Sequence, residues 1–161
     1  MFHSRCRKTR HDETHMVARK ALGAHGTPFE MDIERGKIDE FARAIRAKHP
    51  QYFQGPAPTV PPTYLATQFF WEQRVEGANP WQQVEMSEER GMHAEQEYIF
   101  YGPPPRAGDR LVARSTVTDI TEKQNRRGET LVFVKMVTAF RDAETDRLVA
   151  EAVLTGVERQ P

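Results

Sequence analysis

Three stretches decide the fold: LVARSTVTDIT (Leu111–Thr121), LVFVKMVTAF (Leu131–Phe140) and LVAEAVLTGV (Leu148–Val157). Each is rich in valine, isoleucine or threonine, residues whose branched side chains suit a pleated surface. The segments between them, 125–128 and 142–146, carry Asn125, Gly128, Asp142 and Asp146, residues suited to tight turns. Long strands joined by short turns predict an antiparallel meander.

Upstream, His93 to Tyr101 contains an alternating run that predicts a further strand. A loop with Pro103-Pro104-Pro105 and Gly108-Asp109 separates it from the meander. From Thr63 the chain turns apolar and aromatic, with Tyr64, Leu65, Phe69, Phe70 and Trp71. Leu65 and Phe69 lie four residues apart, as a buried helix requires, and Asn79-Pro80 marks the turn after it. Gly55 to Pro62 carries four prolines, which exclude regular structure and stiffen the loop. Before it, Ile38, Phe41, Ala42 and Ile45 form one apolar stripe, predicting a helix over Lys37–Ala47 that Pro50 closes. Asp39 and Glu40 near its start and Arg43 and Arg46 near its end complement the helix dipole. Thr27 to Glu34 alternates as a short strand, and Gly36 is expected to break it. An aromatic helix beside such a sheet needs a curved face to bury it. The expected architecture is α+β, a curved antiparallel sheet wrapped around a central helix.

The length of 161 residues fits one domain, assigned to 27–161. Lys and Arg total 23, as do Asp and Glu, so the net charge is zero and no bulk field for nucleic acid exists. The single cysteine, Cys6, excludes an internal disulfide. No apolar run is long enough to cross a bilayer, and the basic N-terminus lacks the apolar core of a secretory signal. A cytoplasmic location is expected, without membrane contact. Residues 1–26 are basic and hold His3, His11, His15 and His25. His11, His15 and Cys6 have the makings of a metal site only if this stretch is helical. The favoured reading is a solvated, flexible extension with no metal site.

Four blocks, in order, resemble the N-terminal domain of MaoC-like dehydratases. The first is Glu34-Arg35-Gly36-Lys37-Ile38 followed by Phe41-Ala42-Arg43-Ala44-Ile45. The second runs from Ala57 through Pro58-Thr59-Val60-Pro61-Pro62-Thr63-Tyr64 to Leu65. The third is Met92-His93-Ala94-Glu95-Gln96-Glu97-Tyr98 with Arg106-Ala107-Gly108-Asp109-Arg110-Leu111, and the fourth is Leu148-Val149-Ala150-Glu151. Together they span about residues 27 to 158. The resemblance implies a hot-dog fold and chemistry on acyl thioesters, either hydration of an enoyl group or dehydration of a 3-hydroxyacyl group. That chemistry needs an acid/base pair and donors aimed at the thioester oxygen. It implies no cofactor and no metal.

Catalytic members of the family carry an Asp, then Asn-Pro, then a His two residues beyond that Pro. Here Pro50 matches, but Ala47 stands at the Asp position and Tyr52 at the His position. Ala47 cannot move a proton, and a tyrosine with an ordinary pKa of about 10 is a poor base near neutrality. No catalytic residue is therefore assigned. The resemblance implies a non-catalytic subunit that binds acyl-CoA or acyl-ACP beside a catalytic hot-dog partner, which supplies Asp and His. The expected substrate contacts are Pro62, Thr63 and Tyr64 at the start of the central helix, and His93 and Gln96 on the alternating strand. Pro61 and Pro62 lack an N–H, so any oxyanion donor must come from Thr63 or Tyr64. His93 and Gln96 suit the acyl channel, a dimer seam or a paired strand edge equally. His49 is read as a polar residue after a helix end rather than a relocated base. Tyr64 is the best ligand candidate among the aromatics; most of Phe69, Phe70 and Trp71 are read as core, and Trp81 as a partner contact or loop anchor. The alternative is a homodimeric acyl-CoA binder or thioesterase using Glu72 or Asp109, both more plausible as surface or turn residues. Either reading predicts dimerisation, with the seam at His93–Tyr101.

Overall fold

The structure, a computed structural model, describes residues 17–160. Its frame is a five-stranded antiparallel sheet. The strands are β1 (Phe29–Asp32), β2 (Gly91–Phe100), β3 (Arg110–Gln124), β4 (Thr130–Asp142) and β5 (Leu148–Arg159). Their spatial order is β1-β3-β4-β5-β2, so the predicted meander forms the centre and β2 closes one edge.

The turn residues do what their chemistry allows. Asn125 Oδ1 accepts from the N–H groups of Arg127 and Glu129, at 2.9 and 3.0 Å, and Gly128 takes the positive φ of 79° that closes the β3–β4 turn. Asp142 Oδ1 accepts from the N–H and hydroxyl of Thr145, at 2.8 and 2.7 Å, and Thr145 thereby holds the Asp142 carboxyl below its usual pKa.

On the inner face, Leu111, Ala113, Val134 and Phe140 join Met31 and Ile38 in burial. Full burial stabilises by about 1.5–3 kcal/mol for each large side chain. The helix α1 spans Arg35–Ala44, a turn earlier than expected at its C-terminus. Gly36 therefore lies inside its first turn rather than breaking the chain ahead of it. Arg46, at φ 56°, and the Ala47 N–H bonded to the Ala42 carbonyl at 2.8 Å end the helix before Pro50 is reached. Ile45, beyond the last turn, is consequently exposed, while Ile38 and Ala42 are buried.

The central helix is present but short. It begins as a 3₁₀ segment, Tyr64–Gln68, and continues for a single α-turn, α2 (Phe69–Glu72). It crosses the inner face of the sheet, where the Gln68 amide donates to the Thr138 hydroxyl at 3.3 Å.

Residues 17–26, expected in a flexible extension, instead run along the open edge of β3. Val117 donates to the Ala24 carbonyl at 2.8 Å, while Gly23 and Gly26 donate to the Val117 and Ser115 carbonyls at 2.9 Å. Val17 and Ala21 are buried with Val84, Val117 and Val134, a second small core. The apolar side chains and paired backbone make this stretch part of the domain. His11, His15 and Cys6 lie outside the described residues.

Candidate functional site

The loop at 47–52 is shaped by its proline. Pro50 opens a 3₁₀ turn, Pro50–Tyr52, and His49 Nδ1 caps it by accepting from the Gln51 N–H at 3.3 Å. The rings of His49 and Tyr52 lie 5.9 Å apart, tilted by 57° to each other. No carboxylate stands in this loop, and His49 is engaged as a cap.

At the start of the central helix the residues separate by role. Pro62 and Thr63 are exposed. The Tyr64 N–H is taken by the Pro61 carbonyl at 3.0 Å, which leaves Thr63 as the backbone donor of the two expected. The Tyr64 side chain is fully buried, packed edge-on against Phe41 at 5.6 Å. It is a core residue here, not a rim aromatic, and burial pushes its phenol well above its ordinary pKa.

His93 and Gln96 are brought onto one face by a fault in β2. The register slips between His93 and Glu95, so His93 pairs with Gly156 and Gln96 with Leu154, two residues apart on β5. In an unbroken strand, residues three apart point to opposite faces; the bulge at Ala94 removes that opposition. His93 lines an apolar groove of ≈ 360 Å³ together with Trp81, Met86, Met92, Met136 and Leu154. The Gln96 amide is turned back onto the Val153 carbonyl at 3.1 Å. Pro62, Thr63 and Tyr64 do not line this groove.

The groove wall went unnoticed in the sequence, although one signal was there. Gly156 sits inside a strand, where glycine marks a close approach. A Cβ on it would lie 2.7 Å from the Trp81 ring. Trp81 thus anchors its loop and forms the groove wall at once. Asp109 accepts from the Arg106 N–H at 2.8 Å and is a turn residue.

Glu72 is neither surface nor turn. It is 6% exposed, and its Oε1 has no hydrogen-bond partner. Burial raises its carboxyl pKa. An unpartnered buried atom also occurs at Gln68, and the buried hydroxyls of Tyr64 and Thr67 are marginal partners of each other, all on the same central segment. Each unpartnered group costs about 1–3 kcal/mol. Phe69 and Phe70, expected in the core, are 44% and 46% exposed, with their rings 4.2 Å apart. Trp71 is the apolar side chain of α2 that is buried, and it contributes about 1.5–3 kcal/mol. No group of His, Cys, Asp or Glu among the described residues is arranged to hold a metal ion. No helix among them is long and apolar enough to cross a membrane.

With the sheet, the short central helix and the altered loop in place, the profile of the FAS1-like dehydratase domain region matches residues 20–152. The chain belongs to this FAS1-like dehydratase family. No curated protein sequence matches it significantly. Among solved structures, this dehydratase-family chain is similar to a chain of the C-terminally truncated HadBC (3R-hydroxyacyl-ACP dehydratase) complex from Mycobacterium tuberculosis. The TM-score is 0.60 at 23% identity, over 85% of this chain and 96% of that one. The ChsH1–ChsH2 complex from the same organism gives 0.66 at 15%, over 86% and 85%. A MaoC-like dehydratase gives 0.66 at 20%, over 87% of this chain and 42% of that one. At these identities the likeness concerns the fold, and the fold is the hot dog.

Proposed function

We propose that this chain is the acyl-thioester-binding, non-catalytic subunit of a heteromeric (R)-type 3-hydroxyacyl-thioester dehydratase or enoyl-CoA hydratase. Loop 47–52 carries the reading: Ala47 and Tyr52 occupy the positions of the family's proton-transferring Asp and His. A partner hot-dog chain then supplies both groups. The outer edge of β2 is the place for that partner, because β2 ends the sheet and pairs on one side with β5. Two of the structural neighbours are complexes, which supports a paired assembly. The apolar groove beside His93 accommodates the acyl chain, and the Thr63 N–H is the backbone donor at the helix start.

Crotonyl-CoA hydration tests this, with the purified chain alone and mixed with a hot-dog protein from a neighbouring reading frame that retains Asp and His. Turnover in the mixture alone is the expected result. Full turnover by this chain alone overturns the proposal and makes His49 the first residue to mutate. The second reading, a homodimeric acyl-CoA binder or thioesterase, draws on Glu72, a buried carboxyl with a raised pKa. It requires acyl-CoA hydrolysis that Glu72→Gln abolishes.

A further inference from the structure

The C-terminal half of the central segment is packed unlike its first turn. Tyr64 and Leu65 point inward, but beyond them unpartnered polar atoms of Gln68 and Glu72 lie inside with Trp71, while Phe69 and Phe70 face outward. On α2, Trp71 is buried and Lys37 stands over the Phe70 ring, 5.2 Å from its centroid; just before it, Gln68 makes one long hydrogen bond to Thr138 at 3.3 Å. The first five residues are 3₁₀, a geometry with poorer hydrogen bonds that seldom runs this long. The two ends differ in stiffness. Pro61 and Pro62 restrain the N-terminal side, and Gly77, at φ 72°, lies on the C-terminal side. No residue of the segment lines the groove, but the segment and the groove meet the same face of β4. Thr138, which receives the Gln68 amide, and Met136, which lines the groove, are two residues apart on β4 and so share a face.

We propose that residues 68–72 form a strap that lifts from the sheet, hydrating Gln68 and Glu72, when a long apolar chain extends from the groove beneath it. In the closed position Glu72 Oε1 and the Gln68 carbonyl oxygen are deprived of water without compensation. In the open position water reaches both, and the apolar chain covers the sheet that Trp71 leaves. The occupant's identity as an acyl thioester rests on the function proposed above; the two positions of the strap rest on the packing of Trp71, Gln68 and Glu72.

Hydrogen–deuterium exchange on the full chain, free and with saturating palmitoyl-CoA, tests the strap. The amides of residues 68–73 are expected to exchange at least 100-fold faster than those of residues 134–138 in β4. They are expected to exchange a further tenfold faster with palmitoyl-CoA bound. Glu72→Leu is expected to raise the Tm, slow exchange at 68–73 at least tenfold and weaken palmitoyl-CoA binding at least tenfold. Should that variant fail to fold, Glu72→Gln, which keeps the shape, is expected to move the Tm and the exchange in the same directions. Exchange at 68–73 as slow as in β4, or a lower Tm for a folded Glu72→Leu or Glu72→Gln, overturns the strap. Palmitoyl-CoA that fails to bind the wild-type chain overturns the acyl-binding reading instead, and the strap is still judged on the free protein.

Discussion

Two glutamates are buried among the described residues, Glu158 on β5 and Glu72 on the central segment, and their surroundings are opposites. Glu158 is 0% exposed and fully engaged. It accepts from the Ser87 N–H at 2.7 Å, from the Arg90 guanidinium at 3.3 Å and from the Gln160 amide at 3.4 Å. It ties the start of β2 to the end of β5, so its charge is part of the frame. Glu72 is nearly as buried, yet Oε1 meets no donor. A buried charge survives when partners replace water, and otherwise its burial opposes folding. The sheet behaves as a finished structure. The central segment does not.

The contrast breaks first at Glu158. Glu158→Ala removes the acceptor of the Ser87 N–H and the carboxylate that joins β2 to β5; a loss of about 3–5 kcal/mol is expected, read by urea denaturation. A loss under 1 kcal/mol would show that the Glu158 charge is not part of the frame. Next on the same strand, Gly156→Ala puts a Cβ 2.7 Å from the Trp81 ring. A cost of about 1–3 kcal/mol is expected from this overpacking, together with weaker palmitoyl-CoA binding as the groove wall shifts.

Glu72 should answer with the opposite sign. Glu72→Gln is expected to stabilise at neutral pH by up to about 1–3 kcal/mol, because it removes an uncompensated buried charge. The pH dependence sharpens this. Burial raises the folded pKa of Glu72 above its ordinary value of 4.5. Between the unfolded and folded pKa values the folded chain holds a proton that the unfolded chain has lost, so wild-type stability falls as pH rises through this window. Thermal melts of wild type and Glu72→Gln are therefore expected to converge below pH 4.5 and to separate above it. Parallel curves from acid to neutral pH would show that Glu72 finds a donor in solution. The smallest effect belongs to Tyr64→Phe. Its buried hydroxyl has the Thr67 side chain as a marginal partner, so removal is expected to change stability by less than about 0.5–1 kcal/mol.

The sequence carried the meander because period-two alternation and turn residues are local signals. Asn125, Gly128 and Asp142 write their own turns through side-chain bonds a few residues away. The 3₁₀ turn at 50–52 is local for the same reason, since Pro50 opens it and His49 caps it. Residues 17–26 were misread because they pair with β3, about ninety residues on, and no local pattern announces that pairing. The central helix was overestimated because its aromatic composition satisfied a helical period. The structure turns Phe69 and Phe70 outward and Gln68 and Glu72 inward, and composition carries no sign for that choice.

What the amino-acid sequence determined by itself is the curved-sheet architecture, because it depends on residue identity and short-range order. Only the tertiary structure decided that His93 and Gln96 share a face, that Trp81 and Met136 wall a groove, and that Glu72 lies buried without a partner. Those facts depend on a bulge, a register and the rotation of a short helix. Each is set by which distant side chains meet, and long-range packing is the level at which they become definite.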